Sequence, residues 1–134
     1  MIFYTYNPEF DEETLGWIRA ENAKRSMRSL SPNSIIYLFE SEELTVGYLW
    51  LEVEKNRVEM VEFHFNGSNA KKWALYDFAT RIAKKQEQDY FVIRVQEEKE
   101  LDEFISKWGG KAMERDGKDV IIKIPFLKDR VKHF

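Results

Sequence analysis

The chain has 134 residues, of which 43% are hydrophobic, 15% aromatic and 34% charged, so it is too apolar for disorder and suits one domain over residues 1–134. The formal net charge of -3 gives no positive field for a nucleic acid, and the lack of cysteine excludes disulfides and a thiolate nucleophile. No stretch approaches the roughly 18 apolar residues of a membrane span, and no secretory signal pattern is present, so we expect a soluble cytoplasmic protein without a membrane partner.

The first predicted elements are a short strand and a basic helix. The strand covers Ile2–Tyr6 and ends at Asn7-Pro8. Asp11 is a suitable N-cap, so a helix is expected from there to about Met27. Its inner stripe is predicted to contain Leu15, Ile18 and Asn22. The segment is locally basic through Arg19, Lys24, Arg25 and Arg28. Such a charge run is typical of a solvated face, and an acidic partner or substrate is the alternative.

Three strands with short turns between them follow. They are Ile35–Glu40, Leu44–Glu54 and a strand from Arg57 to Phe65. The turns are Ser41-Glu42-Glu43 and Lys55-Asn56. Gly47 inside the second of these strands predicts a bulge or a close backbone neighbour, because glycine weakens a strand interior.

The third of these strands carries the polar residues of most interest. Its alternation places Val61, Phe63 and Phe65 on one face and Glu62 and His64 on the other. A plain structural reading of the second pair is a polar patch on a partly wet strand face.

A helix from Ala70 to Lys85 follows a small polar loop, with Ser68 or Asn69 as its N-cap. Its apolar stripe is predicted to be Leu75, Phe78, Ala79 and Ile82. Off that stripe lie Lys71, Lys72, Arg81, Lys84 and Lys85. A strand that leads into a helix in this way directs backbone N–H groups at a crevice, which suits a phosphate but also occurs in plain structure. Nucleic-acid contact through these cations is opposed by the acidic total.

The remaining chain predicts a strand, a helix and a hairpin. Tyr90–Val95 is a mostly apolar run expected of a central strand, which makes a right-handed parallel crossover with the preceding strand and helix. A helix is expected from Glu98 to about Trp108, followed by two glycines. Lys111–Arg115 and Asp119–Ile124 form the hairpin, and Phe126–Phe134 is a basic tail.

This order, β-α-β-β-β-α-β-α-β-β, resembles the GCN5-related N-acetyltransferase (GNAT) family, an α/β fold with a mixed (α+β) sheet and helices on both faces. The stretches that carry the resemblance are Ile35–Glu40 with Val46–Leu51, Ala74–Lys85 and Phe104–Gly110. They resemble the second and third strands, the phosphate-side helix and the closing F-Y-x-K-x-G-F segment of that family. The resemblance covers nearly the whole chain, and the order and spacing of these stretches carry it.

The resemblance implies an acetyl-coenzyme A site beside the fourth strand. The pantetheine would pair with backbone atoms of Phe63, His64 and Phe65. The pyrophosphate would rest on the loop and helix start, at Gly67, Ser68, Asn69, Ala70, Lys71 and Lys72.

The chain departs from the family pattern at two places. In the Q/R-x-x-G-x-G/A loop, Gly67 falls at the Gln/Arg position, Ala70 at the first glycine and Lys72 at the second. A side chain at a glycine position hinders close approach of phosphate to the backbone, so Lys72 either crowds the site or, with the lysine before it, supplies charge. The tyrosine expected as the acid for the departing thiolate is Ile105, next to Ser106.

The resemblance also implies a general base on the fourth strand. Glu62 is the candidate, His64 on the same face is its substitute, and Glu59 lies on the opposite face by pleat parity. No metal is expected, because the chain has only two histidines and no cysteine.

Two functions follow from these observations. One is a divergent N-acetyltransferase that moves an acetyl group from acetyl-CoA to a small-molecule amine, a peptide amine or a protein lysine. The other is a catalytically inactive GNAT-fold protein that binds a protein partner. The altered loop and the missing tyrosine favour the second, as do aromatic residues that would anchor an interface if exposed: Trp17, Trp50, Trp73 and Phe134.

Overall fold

The computed structural model describes residues 1–55, 57–96, 101–102, 105–106 and 109–125. The elements are β1 (Ile2–Thr5), α1 (Pro8–Glu21), β2 (Ser34–Ser41), β3 (Leu44–Glu54), β4 (Arg57–Phe65), α2 (Asn69–Lys85), β5 (Tyr90–Val95), β6 (Lys111–Asp116) and β7 (Asp119–Pro125). Between β5 and β6, residues 101–102 and 105–106 are helical. The predicted order of the seven strands and of the first two helices is confirmed.

The strands form a seven-stranded sheet in the order β1-β2-β3-β4-β5-β7-β6. β4 and β5 run parallel and pair at Glu59 and Val92, with α2 as the crossover between them. β1 with β2, β2 with β3, and β7 with both of its neighbours are antiparallel. The predicted mixed sheet of an α/β fold is therefore confirmed.

Two compact units divide the chain. One contains Met1–Val53 and Met60–Trp73, and the other contains Glu54–Glu59 and Ala74–Phe134. The single domain over residues 1–134 stays a prediction.

In the first unit, α1 packs against β2 and β3. The buried cluster consists of Leu15, Ile18, Ile36, Leu38, Tyr48 and Trp50. Each large apolar side chain buried in this way contributes roughly 1.5–3 kcal/mol. The Trp50 side chain has no exposed surface, so this tryptophan belongs to the core and not to an interface. Trp17, on the outer face of α1, is 57% exposed.

The start of α1 differs from the prediction that Asp11 is the N-cap. The N-cap is Asn7, whose Oδ1 accepts a hydrogen bond from the Glu9 N–H at 2.9 Å. Pro8 takes the first helical position, where a missing N–H has no consequence. Asp11 instead accepts a hydrogen bond from the Asn7 N–H at 2.8 Å.

The end of α1 also differs, because the helix stops at Glu21 and not near Met27. Asn22 is the C-cap with an extended backbone, and its side chain is buried. Its Nδ2 donates to the Tyr48 hydroxyl at 2.9 Å, which holds the residue out of helical conformation. Residues 22–33 therefore form a loop before β2.

Gly47 meets both of the alternatives predicted for it. The β2–β3 pairing moves from Phe39 opposite Gly47 to Glu40 opposite Thr45, which leaves one extra residue in β3. A Cβ built on Gly47 would also lie 2.3 Å from the His64 carbonyl oxygen. Glycine is required here because the backbone of β4 occupies the space of a side chain.

In the second unit, α2 and the strands β5 and β7 supply the buried residues. The predicted stripe of α2 is confirmed at Leu75, Ala79 and Ile82, with Phe78 half-buried. The central position predicted for β5 is confirmed by its burial at Phe91, Val92, Ile93 and Val95. Every residue of β6, at the edge of the sheet, is exposed.

Several predictions lie wholly or partly outside the described residues. They concern Asn56 in the turn before β4, the helix Glu98–Trp108, the side chain of Trp73, and the tail Phe126–Phe134, which includes the proposed anchor Phe134. No helix in the described part of the chain is long and apolar enough to cross a bilayer.

Candidate functional site

The junction between β4 and α2 is formed by the loop residues 66–68. Ser68 is the N-cap of α2: its Oγ accepts a hydrogen bond from the Lys71 N–H at 3.3 Å, and its carbonyl accepts one from the Lys72 N–H at 3.0 Å. Of the two N-caps predicted, Ser68 is therefore the one used. No described residue accepts a hydrogen bond from the amides of Asn69 and Ala70, as is usual in the first turn of a helix.

At the end of β4, the backbone groups of alternate residues point toward β3, and those of the residues between them point away from β3. The Asn66 N–H donates to the Val46 carbonyl of β3 at 2.8 Å, and the His64 carbonyl faces Gly47 of the same strand. Peptide groups of successive strand residues point to alternate edges. The N–H and C=O groups of Phe63 and Phe65 therefore point to the other edge of β4.

The residues of the loop and first helical turn fit a phosphate-bearing cofactor. Gly67, Ser68, Asn69 and Ala70 are exposed, as are the side chains of Lys71 and Lys72. Exposed amides at a helix N-terminus, with two cations beside them, are the groups that bind phosphates.

One aromatic ring borders this loop. A Cβ built on Gly67 would lie 2.5 Å from the Phe65 ring, so the ring covers one side of the glycine. Ala70 and Lys72 stand at the two positions where the family pattern has glycine. Both residues are exposed, so their side chains lie in solvent.

Glu62 is the most heavily hydrogen-bonded side chain of the first unit. Its side chain is fully buried and accepts five hydrogen bonds. Arg19 donates two of them, from Nε to Oε1 at 3.0 Å and from Nη2 to Oε2 at 2.8 Å. Ser26 donates two more to Oε2, from its N–H at 3.1 Å and from Oγ at 2.7 Å, and the Tyr48 hydroxyl donates to Oε1.

These bonds determine the charge of Glu62. Burial raises the pKa of this carboxyl group, but the hydrogen bonds from Arg19, Tyr48 and Ser26 outweigh burial and hold the pKa below its ordinary value. The carboxylate is therefore stable as an anion. Its lone pairs are already engaged, which leaves little capacity to take a proton from a substrate.

Arg19 and Tyr48 were missed as site residues in the sequence. The Glu62 hydrogen bond is the largest cause that raises the pKa of Arg19, and burial is the largest cause that raises that of Tyr48. Arg19 also lies with its guanidinium carbon 5.1 Å from the centre of the Trp50 ring. The sequence signal that could have found Tyr48 is the alternation of side chains along β3. That alternation places Tyr48 on the face that α1 covers, and β3 is next to the strand that carries Glu62.

His64 shares the face of Glu62, as the alternation predicted. Its ring lies 6.1 Å from that of Tyr48, and its side chain is 22% exposed. Nε2 is buried and has no hydrogen-bond partner among the described residues. The nearest carboxylate oxygen recorded for this nitrogen is Oε2 of Glu21, at 3.9 Å.

Glu59, assigned by parity to the opposite face, lies in the second unit. Arg94 donates from Nε to its Oε1 at 3.3 Å and also pairs with Asp116 at 2.8 Å and with Asp119 at 3.7 Å. This network joins β4, β5 and the final hairpin. The contact with Arg94 ties Glu59 to the neighbouring strand, which supports a structural role for Glu59.

The position of the expected thiolate acid is occupied by an aliphatic residue. Ile105 is 44% exposed, and the neighbouring Ser106 donates its hydroxyl to the Asp102 carbonyl at 2.8 Å. Among the described residues, no three His, Asp or Glu side chains stand close enough to hold a metal ion.

Comparison with solved structures identifies the fold. PaiA N-acetyltransferase from Thermoplasma acidophilum, in complex with coenzyme A, superposes with a TM-score of 0.61 at 16% identity, covering 94% of this chain and 100% of that one. A GNAT-family acetyltransferase from Elizabethkingia anophelis with acetyl-CoA bound gives 0.57 at 10% identity, covering 94% and 97%. The aminoglycoside 6'-N-acetyltransferase from Enterococcus faecium gives 0.58 at 11% identity, covering 95% and 98%.

No family model matches the sequence, and a search of curated proteins gives no match. The likeness to solved structures extends over almost the whole chain in each case. The protein therefore has the fold of the GNAT acetyltransferases, as the order of its elements and the mixed sheet predicted.

Proposed function

We propose that the protein is a divergent N-acetyltransferase that moves an acetyl group from acetyl-CoA to an amine. The observation that carries the proposal is the β4–α2 junction. There, peptide groups of Phe63 and Phe65 point away from β3, and an exposed helix start with two lysines follows. Two of the structures with this fold hold coenzyme A or acetyl-CoA, which supports the same cofactor here.

The residues of the junction divide the binding of the cofactor between them. The backbone of Phe63 and Phe65 would pair with the pantetheine arm, and the amides from Gly67 to Ala70 would donate to the pyrophosphate. Lys71 and Lys72 would offset its negative charge. When bound, acetyl-CoA supplies the thioester carbonyl that the amine attacks.

His64 is assigned the role of proton acceptor in preference to Glu62. Its Nε2 is not engaged in a hydrogen bond among the described residues, so its lone pair is available to accept a proton, and Oε2 of Glu21 lies 3.9 Å from it. Glu62, with its five donors, holds Arg19 and Ser26 in position.

A catalytically inactive protein that binds a protein partner is the second candidate. The observation in its favour is the set of exposed apolar side chains on α1 and the loop after it: Phe10 at 79%, Trp17 at 57% and Met27 at 99%. The Phe65 ring over Gly67 also favours this candidate, because it narrows the approach to the loop. In this case the junction is structural and acetyl-CoA does not bind.

Calorimetric titration with acetyl-CoA tests the proposal. We expect micromolar binding that weakens by about tenfold or more in the Lys71→Glu/Lys72→Glu variant, because two attractive charges become repulsive. The matched control, Lys111→Glu/Lys118→Glu, makes the same change of charge on β6 and the turn after it. It should leave the affinity within about twofold. An absence of binding at millimolar acetyl-CoA would refute the enzyme and favour the second candidate.

A further inference from the structure

The loop after β4 contains an asparagine that is followed by glycine, Asn66-Gly67. The chain has six asparagines, and at the other five the next residue is proline, alanine, serine or arginine. An asparagine carboxamide is chemically labile when the backbone nitrogen of the next residue can reach its Cγ atom. Glycine allows the closest approach, because it has no Cβ and adopts the widest range of backbone conformations. The sequence therefore favours this reaction most at Asn66.

The structure leaves both reacting groups of this pair accessible. Asn66 and Gly67 are exposed. In the described part of the chain, no hydrogen bond engages the carboxamide of Asn66 or the N–H of Gly67. The backbone N–H of Asn66 donates to the Val46 carbonyl at 2.8 Å, which fixes the residue at the end of β4 and leaves the next peptide bond in the loop. The nucleophile and the electrophile therefore lie on one exposed segment.

Other asparagines are protected by their surroundings. Asn22 is buried, and its Nδ2 and Oδ1 are both engaged in hydrogen bonds of 2.9 Å. The N–H of the residue after Asn33 donates to the Ser31 carbonyl at 3.0 Å. Asn69 is the first residue of α2, where the helical backbone angles keep the next nitrogen away from Cγ. Among the asparagines that the structure describes, Asn66 is thus the most reactive.

We propose that Asn66 is a site of spontaneous deamidation, which creates a carboxylate and thereby weakens the phosphate-binding loop. The Gly67 nitrogen attacks Cγ of Asn66, so that a bond between nitrogen and Cγ forms and the bond from Cγ to Nδ2 breaks. Ammonia leaves and carries off the proton that the Gly67 nitrogen loses. Water then opens the resulting succinimide ring at one of its two carbonyl carbons, which gives aspartate or isoaspartate.

The effect of this modification on the cofactor rests on the proposed function. The new carboxylate directly precedes the amides of Gly67 to Ala70 and the side chains of Lys71 and Lys72, which would hold the pyrophosphate. A negative charge there repels the pyrophosphate. Isoaspartate also adds a methylene group to the backbone, which displaces the amides from their positions. The affinity for acetyl-CoA therefore falls as the protein ages.

Mass spectrometry tests the reaction without any cofactor. The folded protein is incubated for days in mildly alkaline buffer and digested with trypsin, which releases residues 58–71 as one peptide that contains Asn66 and Asn69. We expect a gain of about 1 Da at Asn66, with Asn69 of the same peptide unchanged. The gain should be slower in mildly acidic buffer, because the Gly67 nitrogen must lose its proton to attack. Protein digested without incubation measures the change that digestion itself causes.

Variants at Asn66 test the consequence, since a side chain at Gly67 would meet the Phe65 ring. Asn66→Asp reproduces the product and should bind acetyl-CoA about threefold or more weakly than the natural protein. Asn66→Gln forms a cyclic imide far more slowly, because its side chain is longer, and should keep its affinity within about twofold before and after incubation. The matched control Asn33→Asp adds the same charge just before β2 and should also stay within about twofold.

The outcomes separate the modification from the proposed function. No mass gain at Asn66, or equal gains at Asn66 and Asn69, would overturn the modification. A mass gain together with equal acetyl-CoA affinities of Asn66→Asp and the natural protein would overturn its effect on the loop. Failure of acetyl-CoA to bind the natural protein, with the mass gain present, would refute the acetyltransferase and the effect on its cofactor, and would leave the deamidation established.

Discussion

Nη2 of Arg19 lies 2.8 Å from Oε2 of Glu62, and this ion pair joins α1 to β4. The carboxylate is fully buried, whereas the Arg19 side chain is 23% exposed and lines a cleft beside the second half of α1. One arginine thus stabilises a buried anion on its inner side and presents positive charge on its outer side. The position of α1 and the charge of the cleft therefore depend on the same residue.

Replacement of Glu62 by glutamine should destabilise the fold. The change leaves Arg19 without its counter-charge and mismatches the Tyr48 and Ser26 donors, so we expect a loss of about 2–3 kcal/mol. Water reaches part of Arg19, which keeps the loss below that of a fully buried pair. Urea denaturation measures it. The control Glu54→Gln, at an exposed pair with Arg57, should lose at most about 0.5 kcal/mol. Equal losses would contradict a special role for Glu62.

The stability of the protein should fall in acid because of the same carboxylate. Burial raises the pKa of Glu62, but the hydrogen bonds to the carboxylate lower this pKa by more than burial raises it. The folded-state pKa therefore lies below the ordinary value of 4.5. Below the unfolded-state pKa the unfolded chain binds more protons than the folded chain, so this contribution is complete above pH 4.5 and is lost as the pH falls through the folded-state pKa. Urea titrations at several pH values between about 3 and 7 should give a shallower acid decline in Glu62→Gln than in the natural protein.

Gly47→Ala should be destabilising by about 2–3 kcal/mol, because the added methyl group meets the rigid backbone at the His64 carbonyl. Gly16→Ala is the matched control. Among the described residues, no atom outside the adjoining residues and the backbone of α1 lies within 4 Å of a Cβ at Gly16, and alanine favours the helix interior, so a gain of about 0.5–1 kcal/mol is expected. Denaturant midpoints of the two variants should shift in opposite directions. A Gly47→Ala variant as stable as the natural protein would contradict the close approach of β3 and β4.

Local patterns predicted the elements and the special place of Gly47, because strand and helix periods and glycine geometry act over a few residues. The N-cap of α1 was wrong for a local reason. Asn7 and Asp11 are both good caps, and Pro8 at the first helical position decides for Asn7. The Arg19–Glu62 pair could not be predicted, since its partners are separated by 43 residues and meet only when α1 packs on the sheet.

The last prediction concerns His64 and separates the two candidate bases. His64→Gln should lower kcat for acetyl transfer to an acceptor amine by about 100-fold or more, because glutamine cannot accept the proton. The affinity for acetyl-CoA should remain, since the cofactor contacts assigned here involve the backbone and the next loop.

Glu21→Gln, which removes the carboxylate 3.9 Å from Nε2, should give a smaller loss of about three- to tenfold. In Glu62→Gln we expect the free energy of unfolding to fall by more than the activation free energy of acetyl transfer rises. For this comparison kcat is measured well below the unfolding temperature of the variant. If kcat instead collapses in Glu62→Gln and is unchanged in His64→Gln, Glu62 is the base, and its five donors must rearrange when the amine binds.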